Sequence, residues 1–142
     1  MAIALEEARA AEARGEVPIG AAIVLDGIVT ARAGNRTIAD DDPTAHAEMV
    51  AIRAAAKAIG SQRLTGADLY VSLEPCAMCA AAISFARVRR LYFGARDPKG
   101  GAVESGARFF TQPTCHHAPE VYGGIREGEA GAMLTAFFRQ RR

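Results

Sequence analysis

Two short segments of this chain combine residue types that bind a soft metal with one that moves protons. They are His46-Ala47-Glu48 and Pro75-Cys76-Ala77-Met78-Cys79, and each falls where a helix is expected to begin. Two Cys three residues apart share one helical face, so both sulfurs can reach a single ion. His46 adds a borderline-soft third ligand, and one His with two thiolates suits tetrahedral zinc whose fourth position stays open to water. Zinc lowers the pKa of its water toward about 7. A carboxylate held off the metal can then take that proton and pass it to a substrate, and Glu48 is placed for this role. In mid-helix, Glu48 would point away from His46; the two converge only in the first turn, where side chains lean over the open end. Two helix N-termini facing the ion would also favour thiolates. Taken alone, Cys-x-x-Cys reads equally as a redox pair or half of a structural zinc site, and His-x-Glu says little. A structural site closes all four positions with protein ligands, and only Cys115, His116 or His117 is left to supply a fourth.

The elements that must position these residues are legible in outline. Met1 to Arg14 is Ala-rich and stops at Gly15, a helix with a C-terminal stop. Ile19 to Leu25 and Ile28 to Ala33 are β-prone runs around Asp26-Gly27, a hairpin. Asp40-Asp41-Asp42-Pro43-Thr44 precedes an Ala-rich run from Ala45 to Ile59 closed by Gly60, which reads as a second helix with acids capping its positive end, or simply solvated there. Leu69 to Leu73 is a short buried strand, and Pro75 opens a third helix running through Arg87. Arg90 to Ala95 and Glu120 to Ile125 are further strands, separated by a polar, Gly-rich loop from Asp97 to Pro119 with a short turn at Arg108-Phe109-Phe110. Ala130, Met133, Leu134, Phe137 and Phe138 recur at helical spacing in a last helix. An antiparallel hairpin followed by alternating strands and helices predicts an α/β fold, a three-layer α/β/α sandwich on a mixed, roughly five-stranded sheet.

Composition sets the outer bounds. With 142 residues, 50% of them hydrophobic, and no linker or repeat, the expectation is one domain over residues 1–142. The apolar runs Ile19 to Leu25 and Cys76 to Ala86 are too short to cross a membrane, and the start lacks a signal peptide's basic and apolar regions, so a cytoplasmic location is expected. Three Cys, an odd and low count, argue against a disulfide framework and for metal binding or catalysis.

His-x-Glu followed by Pro-Cys-x-x-Cys is the signature of zinc deaminases that act on nucleobases. The likeness extends through Glu16-Val17-Pro18-Ile19-Gly20-Ala21, Gly34-Asn35-Arg36, Asp42 to Glu48, Leu69 to Cys76, Arg90 to Gly101 and Phe137 to Arg142. On these segments, most of its length, the sequence resembles the bacterial tRNA-specific adenosine deaminases of the cytidine-deaminase-like superfamily. The resemblance implies one Zn2+ per subunit on His46, Cys76 and Cys79, with Glu48 as proton carrier. It implies deamination of adenosine to inosine at the wobble position of a tRNA anticodon loop, by attack of activated water at C6. It further implies a homodimer, with Asn35 bonding the base, Pro18 and Ile19 walling its pocket, Asp97 beside the RNA backbone, and Phe138 and Arg139 facing substrate. Local chemistry offers plainer roles: Asn35 and Asp97-Pro98 are good turn residues, and Phe137 and Phe138 fit a core. The alternative activity on the same site is deamination of a free nucleobase or nucleoside, guanine, cytosine or cytidine; the alternative outside catalysis is an RNA-binding module with structural zinc.

Charge bears on that choice. The net charge of +1 divides into +4 across Arg87 to Lys99, +3 on Arg139, Arg141 and Arg142, and −6 elsewhere. The two basic clusters form a phosphate-binding surface if folding brings them together. Gly106 to Pro119, with Cys115-His116-His117, departs from the resemblance; adjacent residues rarely converge on one ion, so a free thiol and loop histidines are expected there.

Overall fold

The computed structural model describes residues 1–142. Four helices, α1 (Ala2–Ala13), α2 (Ala47–Ile59), α3 (Ala77–Phe85) and α4 (Glu127–Arg139), accompany five strands: β1 (Gly20–Leu25), β2 (Ile28–Gly34), β3 (Asp68–Leu73), β4 (Arg90–Ala95) and β5 (Glu120–Tyr122). The sheet order is β2-β1-β3-β4-β5. β1 is antiparallel to both neighbours, while β3, β4 and β5 are parallel. The expected mixed five-stranded α/β sandwich is therefore the observed fold. Asp26 (φ 52°) and Gly27 (φ 76°) make the hairpin turn with both central residues left-handed, the twist that antiparallel strands favour. Parallel β3 and β4 cannot be joined by a tight turn, and α3 is their crossover.

Strand alternation divides the core. Ile23, Leu69, Val71, Leu91 and Phe93 meet Ala47, Ala51 and Ala55 of α2 and Ala80 and Ile83 of α3. On the other face, two glycines admit α1 and α4. A Cβ on Gly20 would sit 2.0 Å from the Ala4 carbonyl oxygen, and one on Gly94 would sit 2.5 Å from that of Ser72 and 3.0 Å from the Ala130 Cβ.

Register decides which residues gather at one end of the sheet. Gly20 pairs with Gly34, Ala21 with Val71, and Leu73 with Ala95, so the start of β1 and the ends of β2, β3 and β4 lie along one edge. Ile19, Asn35, Glu74 and Asp97, each just beyond a strand end, are thereby gathered on one rim, the usual place for a ligand crevice in such sheets.

Several boundaries differ from the sequence reading. α2 starts at Ala47 with His46 as its N-cap, so the Asp run does not cap it. Instead Asp42 Oδ1 accepts from the Thr44 N–H (2.8 Å) and hydroxyl (2.7 Å), closing a local turn before the helix. α3 spans Ala77 to Phe85, shorter than Pro75 to Arg87: Cys76 is its extended N-cap, and Arg87 turns left-handed (φ 60°) to end it. β5 stops at Tyr122 because Gly124 (φ 79°) and Arg126 (φ 56°) turn the chain into α4.

Candidate active site

His46 and Cys76 both occupy N-cap positions with extended backbone, ψ 153° and 174°. At an N-cap the side chain precedes the helical twist, which is why His46 can share a site with Glu48, the second residue of α2. His46 Nδ1 lies 3.6 Å from both Cys76 Sγ and Cys79 Sγ, and the three donor atoms all fall within 4.8 Å of one another. A tetrahedral ion with metal–nitrogen near 2.05 Å and metal–sulfur near 2.3 Å requires about 3.6 Å between those two ligands. The donor set thus fits zinc in both chemistry and spacing, with both helix N-termini turned toward it.

The two thiols are tightly coupled. A hydrogen bond from Cys79 draws Cys76 down to about 4, and the same bond, with burial, pushes Cys79 up. Glu48 is 4% exposed, and burial, reinforced by the charge of Cys76, pushes its carboxyl up to about 7. A buried carboxyl poised near neutrality can both accept and return a proton. Cys115, His116 and His117 do not join this cluster: Cys115 Sγ lies 3.6 Å from Ser84 Oγ and donates to the His117 carbonyl, and His117 Nε2 meets the Val88 carbonyl at 2.7 Å. No fourth protein ligand closes the metal site.

An inner cavity of about 230 Å³ is bordered by Ile19, His46, Glu48, Glu74, Cys76 and Asp97. Beside it lies an outer cleft of about 810 Å³ that shares Ile19, His46, Leu73, Asp97 and Gly100 and adds Val17, Asn35, Thr37, Lys99, Leu134, Phe138, Arg141 and Arg142. Of the residues expected around substrate, Ile19, Asn35, Asp97 and Phe138 meet here. Pro18 and Arg139 do not line it; Val17 and the pair Arg141 and Arg142 take those places. Helical spacing explains the second difference, because Leu134, Phe138 and Arg141 share one face of the C-terminal helix and its continuation, while Arg139 points aside. Phe137 is 3% exposed and Phe138 49%, which separates the core ring from the cleft ring.

Asn35 is 4% exposed, and its Oδ1 is buried without a hydrogen-bond partner. Glu16, buried below it, fixes its orientation. Asn35 Nδ2 donates to Glu16 Oε2 (3.4 Å), while Glu16 Oε1 accepts from the Ile38 and Ala39 N–H groups (3.0 and 2.8 Å). A carboxylate can only accept, so the amide must turn its NH2 toward Glu16 and leave its oxygen free. Asp97 is at once a turn residue and part of the cleft wall, its Oδ1 accepting from the Lys99 and Gly100 N–H groups (3.2 and 3.0 Å).

Folding joins only part of the two basic clusters. Arg89 and Arg90 precede or begin β4 and pair with Asp68 and Glu120 (3.0 Å each), whereas Arg96 and Lys99 follow it, about 17 Å away along an extended strand. Arg96 pairs with Glu104 at 3.3 Å. The cationic rim of the cleft is Lys99, Arg141 and Arg142.

Residues 1–95 match the model of the cytidine and deoxycytidylate deaminase zinc-binding region. The chain is 67% identical to the tRNA-specific adenosine deaminase of Agrobacterium fabrum over 142 residues, covering 100% of this chain and 93% of that protein. A solved structure from a study of A-to-I editing by tRNA:A34 deaminases superposes with a TM-score of 0.93 at 68% identity, covering 94% of this chain and 97% of the other. Guanine deaminase from Bacillus subtilis superposes with a TM-score of 0.65 at 33% identity, covering 97% and 88%.

Proposed function

The chain belongs to the cytidine and deoxycytidylate deaminase zinc-binding family, and from that premise we propose that it deaminates adenosine to inosine at the wobble position of a tRNA anticodon. The observation that carries this reading is the graded site: an inner cavity bordered by Glu48 and ligand residues His46 and Cys76, beside a cleft rimmed by Lys99, Phe138, Arg141 and Arg142. The identity to the Agrobacterium fabrum tRNA-specific adenosine deaminase along the whole chain supports the same substrate.

His46, Cys76 and Cys79 would hold one zinc ion, which when bound would supply the Lewis acidity that activates water at neutral pH. Glu48 takes a proton from the attacking water and delivers it to N1 of adenine as the water oxygen bonds to C6. The proton of the new C6 hydroxyl then passes through Glu48 to the amine as the C6–N bond breaks and the C6 carbonyl forms, so that adenosine and water become inosine and ammonia. Asn35 offers its unpaired oxygen to a donor of the bound nucleotide. Ile19 and Phe138 flank the base, and Asp97 lies along the RNA backbone with Lys99, Arg141 and Arg142 near phosphates. An unstacked anticodon base enters this cleft without breaking a duplex.

The proposal includes a single domain over residues 1–142, action in the cytoplasm, and a homodimer. Met78, Ala81 and Ala82 on the outer side of α3 are half-buried and Phe85 is exposed, an apolar face suited to a second copy. No helix is long and apolar enough to cross a membrane.

The test is turnover of a wobble-adenosine stem-loop by the purified zinc-loaded protein, read by sequencing for inosine, beside free adenosine, cytosine and guanine. Conversion of the stem-loop with little turnover of free bases is expected. Efficient turnover of guanine with an inert stem-loop would replace this reading with the free-base one.

A further inference from the structure

Glu74 takes no part in the chemistry above, yet it is 2% exposed and lies between the end of β3 and the ligand residue Cys76. Its carboxylate is wrapped by the loop that follows β4. Oε1 accepts from the Asp97 N–H (3.0 Å) and the Ser105 hydroxyl (2.9 Å). Oε2 accepts from the N–H groups of Val103 (3.2 Å), Glu104 (3.0 Å) and Ser105 (2.9 Å). A carboxylate offers about four lone-pair sites, so these donors fill it and leave nothing for a substrate or a travelling proton. Glu48, which borders the same inner cavity, has no such ring of loop donors.

The wrapping is close. A Cβ on Gly101 would sit 2.6 Å from the Glu74 carboxyl carbon and 2.5 Å from the Asp97 carbonyl oxygen, so only glycine lets the loop close over the anion. The same loop places Asp97, Lys99 and Gly100 on the cleft wall. It is tied a second time to the ligand-bearing turn, where the Ala102 N–H donates to the Pro75 carbonyl at 2.9 Å. Two segments far apart in sequence, one facing substrate and one holding the metal, are thus fastened at a single side chain.

We propose that Glu74 is a positioning residue that locks the substrate-facing loop Asp97–Ser105 to the turn carrying Cys76, holding the bound nucleotide in register with the metal site. The kinetic part of this proposal rests on the wobble-adenosine reading; the structural part does not.

The test compares the full zinc-loaded chain with Glu74→Gln and Ser105→Ala. Three quantities are read: zinc per chain, amide hydrogen exchange at Asp97, Val103, Glu104 and Ser105, and kinetics on the anticodon stem-loop. In Glu74→Gln an NH2 group faces N–H donors, so protection falls at those amides and KM rises about tenfold, while kcat stays within about twofold and zinc stays bound. Ser105→Ala removes one bond and moves KM the same way by about threefold. A purely structural role would instead lower the melting temperature and the active fraction at unchanged KM, and that result, or amides that stay protected, overturns the proposal. Should Glu74→Gln not fold, Ser105→Ala decides by the same KM and exchange criteria. A parent protein inert on the stem-loop refutes the substrate reading alone, since the exchange measurement still judges Glu74.

Discussion

Phe137 and Phe138 are adjacent, of one type, and predicted to fail in opposite ways when truncated. Phe137 is 3% exposed, meets Phe138 edge-on at 5.3 Å between centroids, and carries the Arg141 guanidinium 3.5 Å above its ring. Truncating a buried Phe to Ala typically costs about 3–5 kcal/mol through lost burial and the cavity left behind. Losing the exposed guanidinium contact adds about 0.5–1 kcal/mol. Against a total stability of about 5–15 kcal/mol, Phe137→Ala should lower the melting temperature by on the order of 10 °C, while Arg141 keeps its hydrogen bond to the backbone carbonyl of residue 137 (3.3 Å). Phe138 is half exposed and leaves no closed cavity, so Phe138→Ala should cost less than about 2 kcal/mol. Its loss should instead be felt by substrate: a base stacked on an aromatic side chain is worth about 1–3 kcal/mol, a KM at least about fivefold higher. Calorimetry or thermal melts of the two zinc-loaded variants, with KM on the stem-loop, read both effects. The assignment of faces is refuted if the two variants melt together, or if Phe138→Ala leaves KM untouched.

Glu48→Gln should keep zinc and fold while kcat falls about 10²- to 10⁴-fold, measured as single-turnover inosine formation; a drop below tenfold would remove Glu48 from the proton path. KM on the stem-loop should rise with salt, and Arg141→Ala and Arg142→Ala should each reduce the logarithmic slope by about 0.7. Arg89→Ala, whose partner Asp68 sits at the far end of the sheet, should leave that slope unchanged. Gly94→Ala should destabilise the fold by about 1–3 kcal/mol in denaturant titration, because its Cβ would meet the Ser72 carbonyl oxygen at 2.5 Å; an unchanged midpoint would show that β3, β4 and α4 can move apart.

The clustering of His46, Cys76 and Cys79, the place of Glu48 beside them and the fold class were legible in the sequence because the signals for each are local. A spacing of three positions from Cys76 to Cys79 suffices to bring both to one side of a helix start, a proline and a cap position suffice to start the helix, and Asp26-Gly27 suffices to turn a hairpin. Glu16 and Glu74 were visible only as charged residues within apolar or turn-like runs. What each of them holds comes from loops 19 to 31 residues away, where side chain and backbone donors meet only after folding. The basic clusters show the same limit. Arg89 and Lys99 are neighbours on a list of residues, but a strand is stiff and extended, so it carries them to opposite ends of the sheet. Conversely Lys99 and Arg141, 42 positions apart, share one rim because α4 returns across the ends of β3 and β4. The residues of this chain by themselves determined that a soft-metal donor set and a carboxylate would come together at two helix starts. Strand register and the return of α4 decided which of the remaining charges face the cleft, because electrostatic and hydrogen-bonding partners act over a few ångströms of space, whatever their separation along the chain.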